Sequence, residues 1–153
     1  MRILLAHDGS DGANGAAELV RAITWPAGST LRVVSVVEPT MVALTAWAGG
    51  IADESAEAEG QVREYYEGEL DETVRRLAGP DRSVESAVLR GRPATAIVED
   101  ARAFGADLVV VGSRGLGPVS SVLMGSVSRW LVKHADVPVT IVTSHDDREP
   151  AAV

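Results

Sequence analysis

The amino-acid sequence predicts a doubly wound α/β fold, in which helices cover both faces of a five-stranded parallel sheet. Apolar runs alternate along the chain with stretches of helical periodicity, which is the pattern of repeated strand–helix units. Several runs are nearly unbroken Val, Leu and Ile, which is typical of parallel strands that are buried on both faces. The length of 153 residues favours one domain, expected over residues 1–143, with a flexible polar tail over residues 144–153.

The first predicted unit is a strand, a glycine-rich loop and a helix. The run RILLAH at residues 2–7 is short and apolar, which indicates a buried strand. Ser10 or Asp11 is a suitable N-cap for the helix that follows. Apolar positions at helical spacing then continue from Ala13 to Ile23.

The second unit combines a strand with a long amphipathic helix. The run TLRVVSVVEP at residues 30–39 indicates the strand. Residues 53–78 carry an apolar stripe on one side and acidic residues on the other, and a Gly-Pro pair ends this helix. The connection over residues 38–52 is rich in apolar side chains. Met41 and Trp47 could line a lid or a dimer contact, and the simpler interpretation is that they cover the top of the sheet.

The second half of the chain continues the alternation with three strands and two helices. Strands are predicted at residues 83–91, 107–112 and 138–142. The helix over residues 93–105 begins with a proline, which suits a first turn, and ends at a glycine, which suits a helix C-terminus. Apolar positions at helical spacing over residues 123–134 indicate the last helix.

Composition and charge exclude several classes of protein. The chain has no cysteine, which excludes disulfides, thiolate zinc sites and cysteine nucleophiles. Neither a leader segment nor an apolar run of membrane-spanning length is visible, so we expect a cytoplasmic protein that makes no membrane contact. The net charge of −8 argues against nucleic-acid binding, because phosphate contacts need a basic face.

The three histidines do not suggest a metal site, because no two of them have metal-ligand spacing. We expect His7 to be a partly buried structural residue. We expect His134 to lie in the core or to add a favourable charge at the end of its helix, and His145 to be exposed.

The most glycine-rich loops follow the first and fourth strands. In open parallel sheets, ligands bind beyond the carboxyl ends of the strands, near the point where the strand order reverses. The loops over residues 8–12 and 112–121 should therefore lie at one ligand site.

The second of these loops has the chemistry of an anion site. Gly112 and Gly115 remove side chains where backbone N–H groups could face a ligand, and Ser126 and Ser128 offer hydroxyls. Arg114 adds a positive charge, and a helix N-terminus nearby would favour phosphate. An alternative is that the glycines only form a tight turn between strand and helix, and the pattern alone leaves both interpretations open.

Two common phosphate motifs are absent. Lys133 is not preceded by the glycine loop of a Walker A motif. The glycines after the first strand, at positions 9, 12 and 15, have the wrong spacing for the dinucleotide fingerprint.

The glycine spacing of the second loop resembles the ATP-binding signature of the universal stress protein family, G-x2-G-x9-G-[ST]. Gly112, Gly115, Gly125 and Ser126 match it in order. The resemblance extends along the chain, through ILLAHDGS near the N-terminus, GRPATAIVEDARAFGADLVVVGSRG and HADVPVTIV. It implies a three-layer, Rossmann-like fold of the adenine nucleotide alpha hydrolase type, with strand order 3-2-1-4-5.

The resemblance also implies which residues contact the nucleotide. Asp8 matches the acidic residue near the nucleotide, and Val36 matches an adenine contact made largely through the backbone. Independently of the resemblance, the carboxylates of Asp8 and Asp11 could hold Mg²⁺ supplied with ATP. His7 departs from the smaller residues expected at its position. With Arg114 added for its charge, the predicted ligand-binding residues are Ala6, Asp8, Val36, Val111, Gly112, Arg114, Gly115, Gly125, Ser126, Val127 and Ser128.

Three functions are compatible with these observations. The first is a cytoplasmic ATP-binding module of stress response or signalling, which acts as a homodimer paired through the last strand, Pro138 to Val142. The second is a slow ATPase or related nucleotide hydrolase, although no water-activating base is evident near the phosphate loop. The third is a dimeric interaction module that binds another nucleotide or none.

Overall fold

The computed structural model describes residues 1–39, 42, 56–115 and 124–143. Three residues for which the sequence makes predictions lie outside these ranges, namely Met41, Trp47 and His145. The described residues form, in chain order, β1 (Arg2–Ala6), α1 (Asp11–Ala22), β2 (Ser29–Val37), α2 (Ala56–Leu77), β3 (Arg82–Arg90), α3 (Pro93–Phe104), β4 (Leu108–Gly112), α4 (Ser126–His134) and β5 (Val139–Val142).

The five strands form one parallel sheet in the order β3-β2-β1-β4-β5. This confirms the predicted fold class and strand order. The order reverses between β1 and β4, so the loops that follow these two strands emerge side by side at the carboxyl edge of the sheet. None of the described helices is long and apolar enough to span a bilayer.

Two apolar layers hold the helices against the sheet. On one face, α1 and α2 pack against Ile3, Leu5 and Val33 of β1 and β2. On the other face, α3 and α4 pack against Leu4, Val34 and neighbouring strand residues. Successive residues of a strand point to opposite faces, so the unbroken apolar runs supply both layers at once.

The helix ends follow the local signals in the sequence. Ser10 caps α1, because its Oγ accepts a hydrogen bond from the N–H of Ala13 at 3.2 Å. Pro93 occupies the first turn of α3, and Gly105 ends that helix in the left-handed conformation with φ of 68°. The last helix begins at Ser126, with Gly125 as its N-cap.

Candidate functional site

A cleft of about 610 Å³ lies at the carboxyl edge of the sheet, where β1, β2 and β4 end. The loop after β1, the loop after β4 and the start of α4 all contribute to it. Its lining includes every ligand-binding residue that the sequence predicts, namely Ala6, Asp8, Val36, Val111, Gly112, Arg114, Gly115, Gly125, Ser126, Val127 and Ser128.

The loop after β1 positions the Asp8 carboxylate through the cap of α1. Oδ1 of Asp8 accepts hydrogen bonds from the backbone N–H of Ser10 at 3.1 Å and from its hydroxyl at 2.6 Å. The same Ser10 oxygen accepts from Ala13 and caps the helix. The start of α1 therefore orients a carboxylate that lines the cleft.

Gly112 permits a close approach within the protein. A Cβ at this position would lie 2.5 Å from the carbonyl carbon of Gly12 and 2.9 Å from the backbone nitrogen of Ala13. The end of β4 therefore lies directly against the first turn of α1. This contact favours, for Gly112, the interpretation that the glycine serves the packing of strand against helix.

Gly115 has a different neighbour, the carboxylate of Asp8. A Cβ at position 115 would collide with Oδ2 of Asp8, and no backbone atom is among its near neighbours. The φ angles of Gly112, Gly115 and Gly125 are not positive, so backbone strain does not require glycine at any of them. The absent side chain at position 115 instead keeps space for the Asp8 carboxylate.

The N-terminus of α4 faces the same cleft. Gly125 has no side chain to cap the helix, and the first bond of α4 runs from the Arg129 N–H to the Gly125 carbonyl at 3.1 Å. Within the described chain, the N–H groups of Ser126, Val127 and Ser128 meet no acceptor. Such N–H groups carry the positive end of the helix dipole and suit an anion.

Ser128 is a tether as well as a lining residue. Its buried hydroxyl donates to the Ser113 carbonyl at 2.9 Å, and the Gly125 N–H donates to the same carbonyl at 2.7 Å. These two bonds hold the start of α4 against the loop after β4. The hydroxyl proton of Ser128 is thus already used inside the protein, whereas Ser126 is exposed at the helix start.

The cleft has residues that the sequence does not indicate. They come from β1, β2, α1, α2, the start of α3 and α4, and they are His7, Ala13, Val34, Glu38, Tyr66, Pro93, Ile97, Met124 and Arg129. Helical periodicity assigns Tyr66 only to the apolar face of its helix. Position along one element does not show which other elements a side chain meets, so no signal in the sequence distinguishes Tyr66 from its apolar neighbours.

Tyr66 forms part of the wall of the cleft on the side of α2. It is only 6% exposed. Burial raises the pKa of its phenol, and the nearby carboxylates of Asp8 and Glu38 raise it further. The phenol therefore keeps its proton at neutral pH and can act as a hydrogen-bond donor.

His7 is fully buried, at 2% exposure, rather than partly buried as the sequence predicts. Its Nδ1 accepts a hydrogen bond from the Gly9 N–H at 3.3 Å, which requires this nitrogen to be unprotonated. Burial lowers the pKa of His7, although the nearby side chain of Asn14 and the charges of Asp8 and Glu69 act in the opposite direction. His7 is thus a neutral structural residue beneath the loop that carries Asp8.

His134 is exposed and stacks on Trp130, with ring centroids 4.2 Å apart. Its position in the last turn of α4 agrees with the predicted charge at a helix C-terminus and not with a place in the core. In the described part of the chain, no three His, Asp or Glu side chains are grouped so that they could hold a metal ion.

Charge is distributed unevenly across the cleft. Because the strand order is β2-β1-β4, Glu38 and Arg114 lie on either side of Asp8. Arg129 adds a second guanidinium from α4. One end of the cleft is therefore acidic with apolar walls, and the other is cationic and next to the open N–H groups of α4.

A parallel sheet with helices on both faces and a cleft at its switch point defines a doubly wound α/β protein with a ligand-sized site. Residues 1–143 match the universal stress protein family, and the chain belongs to that family. A universal stress protein of Thermus aquaticus, encoded in the 3' region of QAH/OAS sulfhydrylase, is 37% identical over 140 residues. The match covers 92% of this chain and 96% of that relative.

Solved structures share the fold at low sequence identity. The hypothetical protein MJ0577 superposes with a TM-score of 0.80 at 20% identity, over 99% of this chain and 97% of that one. A universal stress protein family member of Arabidopsis thaliana, solved with AMP bound, gives 0.58 at 19% identity over 99% and 97% of the two chains. A universal stress protein in complex with cAMP gives 0.56 at 23% identity over 94% and 97%.

Proposed function

We propose that this universal stress protein binds ATP in the cleft at the switch point and acts as a nucleotide-dependent module in stress response or signalling. The observation that carries the proposal is the polarity of the cleft. Its cationic end combines Arg114, Arg129 and the open N–H groups of α4, which suits phosphates, while its other end has apolar walls that suit a base. The adenine nucleotides bound by two structural relatives support the choice of base.

The proposed phosphate contacts come from the loop after β4 and the start of α4. Gly115, Gly125 and Ser126 lie where backbone N–H groups and one exposed hydroxyl can face phosphate oxygens. Ala6, Val36, Val111 and Val127 contribute to the remaining wall around the base and the ribose. Gly112 and Ser128 support these contacts by holding β4, α1 and α4 together.

Asp8 is the proposed ligand for Mg²⁺ that arrives with ATP. It lies between the acidic end and the cationic end, and its carboxylate is oriented by Ser10. Magnesium commonly takes one or two protein carboxylates and completes its shell with phosphate oxygens and water. A single carboxylate here fits a metal that is held chiefly by the nucleotide. The ion would neutralise phosphate charge beside Asp8.

The proposed assembly is a homodimer paired through the last strand, Pro138 to Val142, which ends the sheet next to β4. An apolar strand at the edge of a sheet is normally covered, and a second copy of the chain would cover it.

We expect ATP turnover to be slow at most. The described lining offers the carboxylates of Asp8 and Glu38, but a buried neutral His7 is poorly placed to activate water at the phosphates.

The proposal is tested by identifying the nucleotide that the purified protein carries and by measuring binding directly. Mass spectrometry of a denatured extract should find an adenine nucleotide, and calorimetry with stripped protein should give saturable binding of ATP with Mg²⁺. GTP with Mg²⁺ serves as the matched ligand and should bind more weakly. Absence of binding of ATP, ADP, AMP and cAMP at millimolar concentration would overturn the proposal.

A further inference from the structure

Arg129 is a second cation at the cleft that the glycine signature does not include. It lies in the first turn of α4, three residues after Ser126, so the two side chains lie on the same side of the helix. Its Nη2 donates to the Met124 carbonyl at 3.0 Å, and its side chain lines the cleft. This bond uses one of the five N–H donors of the guanidinium and holds the group beside the site.

The two arginines of the cleft differ in depth. Arg114 is half-buried next to β4, whereas Arg129 is exposed at the mouth. A single phosphate at the start of α4 would already have Arg114 and the open N–H groups of the helix. Each further phosphate of a nucleotide would extend from the first toward solvent, and Arg129 is an exposed cation at the cleft.

We propose that Arg129 is a specificity-determining residue that favours nucleoside di- and triphosphates over monophosphates by contacting a distal phosphate. The proposal rests on the proposed function of the cleft as a nucleotide site. The planar guanidinium can donate two parallel hydrogen bonds to one phosphate, and such charge-assisted bonds are among the strongest in proteins. A lysine would offer the charge without this paired geometry.

The test is the affinity of Arg129→Gln for ATP, ADP, AMP and adenosine, measured by calorimetry at fixed Mg²⁺ and ionic strength. The variant should lose about tenfold to a hundredfold in affinity for ATP, since charge-assisted bonds are removed. The affinity for ADP should fall to a similar or smaller extent. The affinities for AMP and adenosine should change by less than about threefold, which is the size of effect expected from an ordinary surface substitution. Arg129→Lys should lie between wild type and Arg129→Gln for ATP.

The matched control is Arg75→Gln, which removes one positive charge from an exposed position on α2 that does not line the cleft. It should leave all four affinities near wild type. Equal losses for all four ligands in Arg129→Gln, or an unchanged ratio of ATP to AMP affinity, would overturn the inference while leaving the nucleotide site intact. Failure of the wild-type protein to bind any of the four ligands would overturn the proposed function and this inference with it.

Discussion

Two glycines of one loop have different neighbours, and their substitution should therefore affect different properties. Gly112 touches the backbone of α1, which cannot move without shifting the whole helix. Gly112→Ala should lower the free energy of unfolding by about 1 to 3 kcal/mol, the usual cost of overpacking a tight contact. Urea unfolding of the nucleotide-free protein measures this change.

The control for Gly112→Ala is Gly15→Ala in α1, where an added Cβ meets nothing within 4 Å. Alanine is favoured over glycine in a helix by up to about 1 kcal/mol, so this variant should be as stable as wild type or more so. Equal stability of Gly112→Ala and wild type would show that β4 and α1 do not meet as closely as described.

Gly115 touches the side-chain carboxylate of Asp8 instead of a backbone. Gly115→Ala should push the Asp8 side chain away from its present position and leave the fold nearly unchanged. Loss of one contact to a charged ligand corresponds to about tenfold to a hundredfold weaker binding of ATP. Calorimetry gives the affinity, and the melting temperature of the nucleotide-free variant gives the stability. A variant that binds ATP normally would contradict the role given to Gly115.

His7 should make the stability of the protein depend on pH. Burial holds its folded-state pKa below the ordinary value for histidine, so the unfolded chain takes up a proton first as the pH falls. The stability that neutral His7 contributes is complete above the unfolded pKa of about 6.5 and is lost as the pH falls toward the lower folded value. Protonation also removes the acceptor for the Gly9 N–H.

Urea unfolding at several pH values between 7.5 and 5 measures this dependence. Wild type should lose stability over that range, and His7→Gln should lose less, because glutamine does not titrate. His134→Gln serves as the control, since it removes an exposed histidine far from the buried loop. The same slope in wild type and His7→Gln would exclude His7 as its source.

At the scale of single elements, β5 is one of the two edge strands of the sheet and the one through which the proposed dimer pairs. The N–H groups of Val109 and Ser113 donate to the carbonyls of Pro138 and Val142. In a parallel ladder the backbone groups of alternate residues point to opposite sides, so those of Val139 and Ile141 point away from β4. These are the groups that a second copy of the chain would pair with.

Val139→Pro should therefore convert a dimer into a monomer while keeping the fold. The substitution removes an outward donor, keeps the bonds to β4 and retains a side chain of similar size, and proline is tolerated on edge strands. Analytical ultracentrifugation at micromolar concentration measures the assembly. Ser86→Pro is the matched control, because Ser86 is an exposed residue of β3, at the opposite edge. A wild-type monomer, or a dimer in Val139→Pro, would contradict pairing through β5.

At the scale of the whole molecule, nucleotide binding should stabilise the folded protein by mass action. Ligand at a hundred times its dissociation constant adds about 2.7 kcal/mol. For a chain of this size each kcal/mol raises the melting temperature by about 2 to 4 °C, so the expected rise with Mg²⁺ and ATP is roughly 5 to 11 °C. Thermal unfolding measures the rise, and Gly115→Ala at the same ATP concentration should show a smaller one. Equal rises in both proteins would place the ligand outside the cleft.

Most of the fold can be predicted because its signals are local. The unbroken apolar runs mark the strands, Ser10 marks the start of α1, and Gly105 marks the end of α3. Each of these depends on a few neighbouring residues, whose periodicity and backbone preferences are fixed by covalent geometry. The glycine spacing after β4, through its resemblance to a family signature, also predicts which loop would face a phosphate.

The roles of the individual residues of the site depend on tertiary contacts. Gly112 and Gly115 look alike in the sequence, but one meets the backbone of α1 and the other the carboxylate of Asp8. Tyr66 and Arg129 face the same cleft although a long stretch of chain separates them. Local sequence was enough to define which elements form, whereas the order in which they join the sheet was implied by the resemblance to the family. Contacts between distant elements were decided only by the tertiary structure. How the helices pack on the sheet determines which side chains meet, and the local preferences of the chain do not specify that packing.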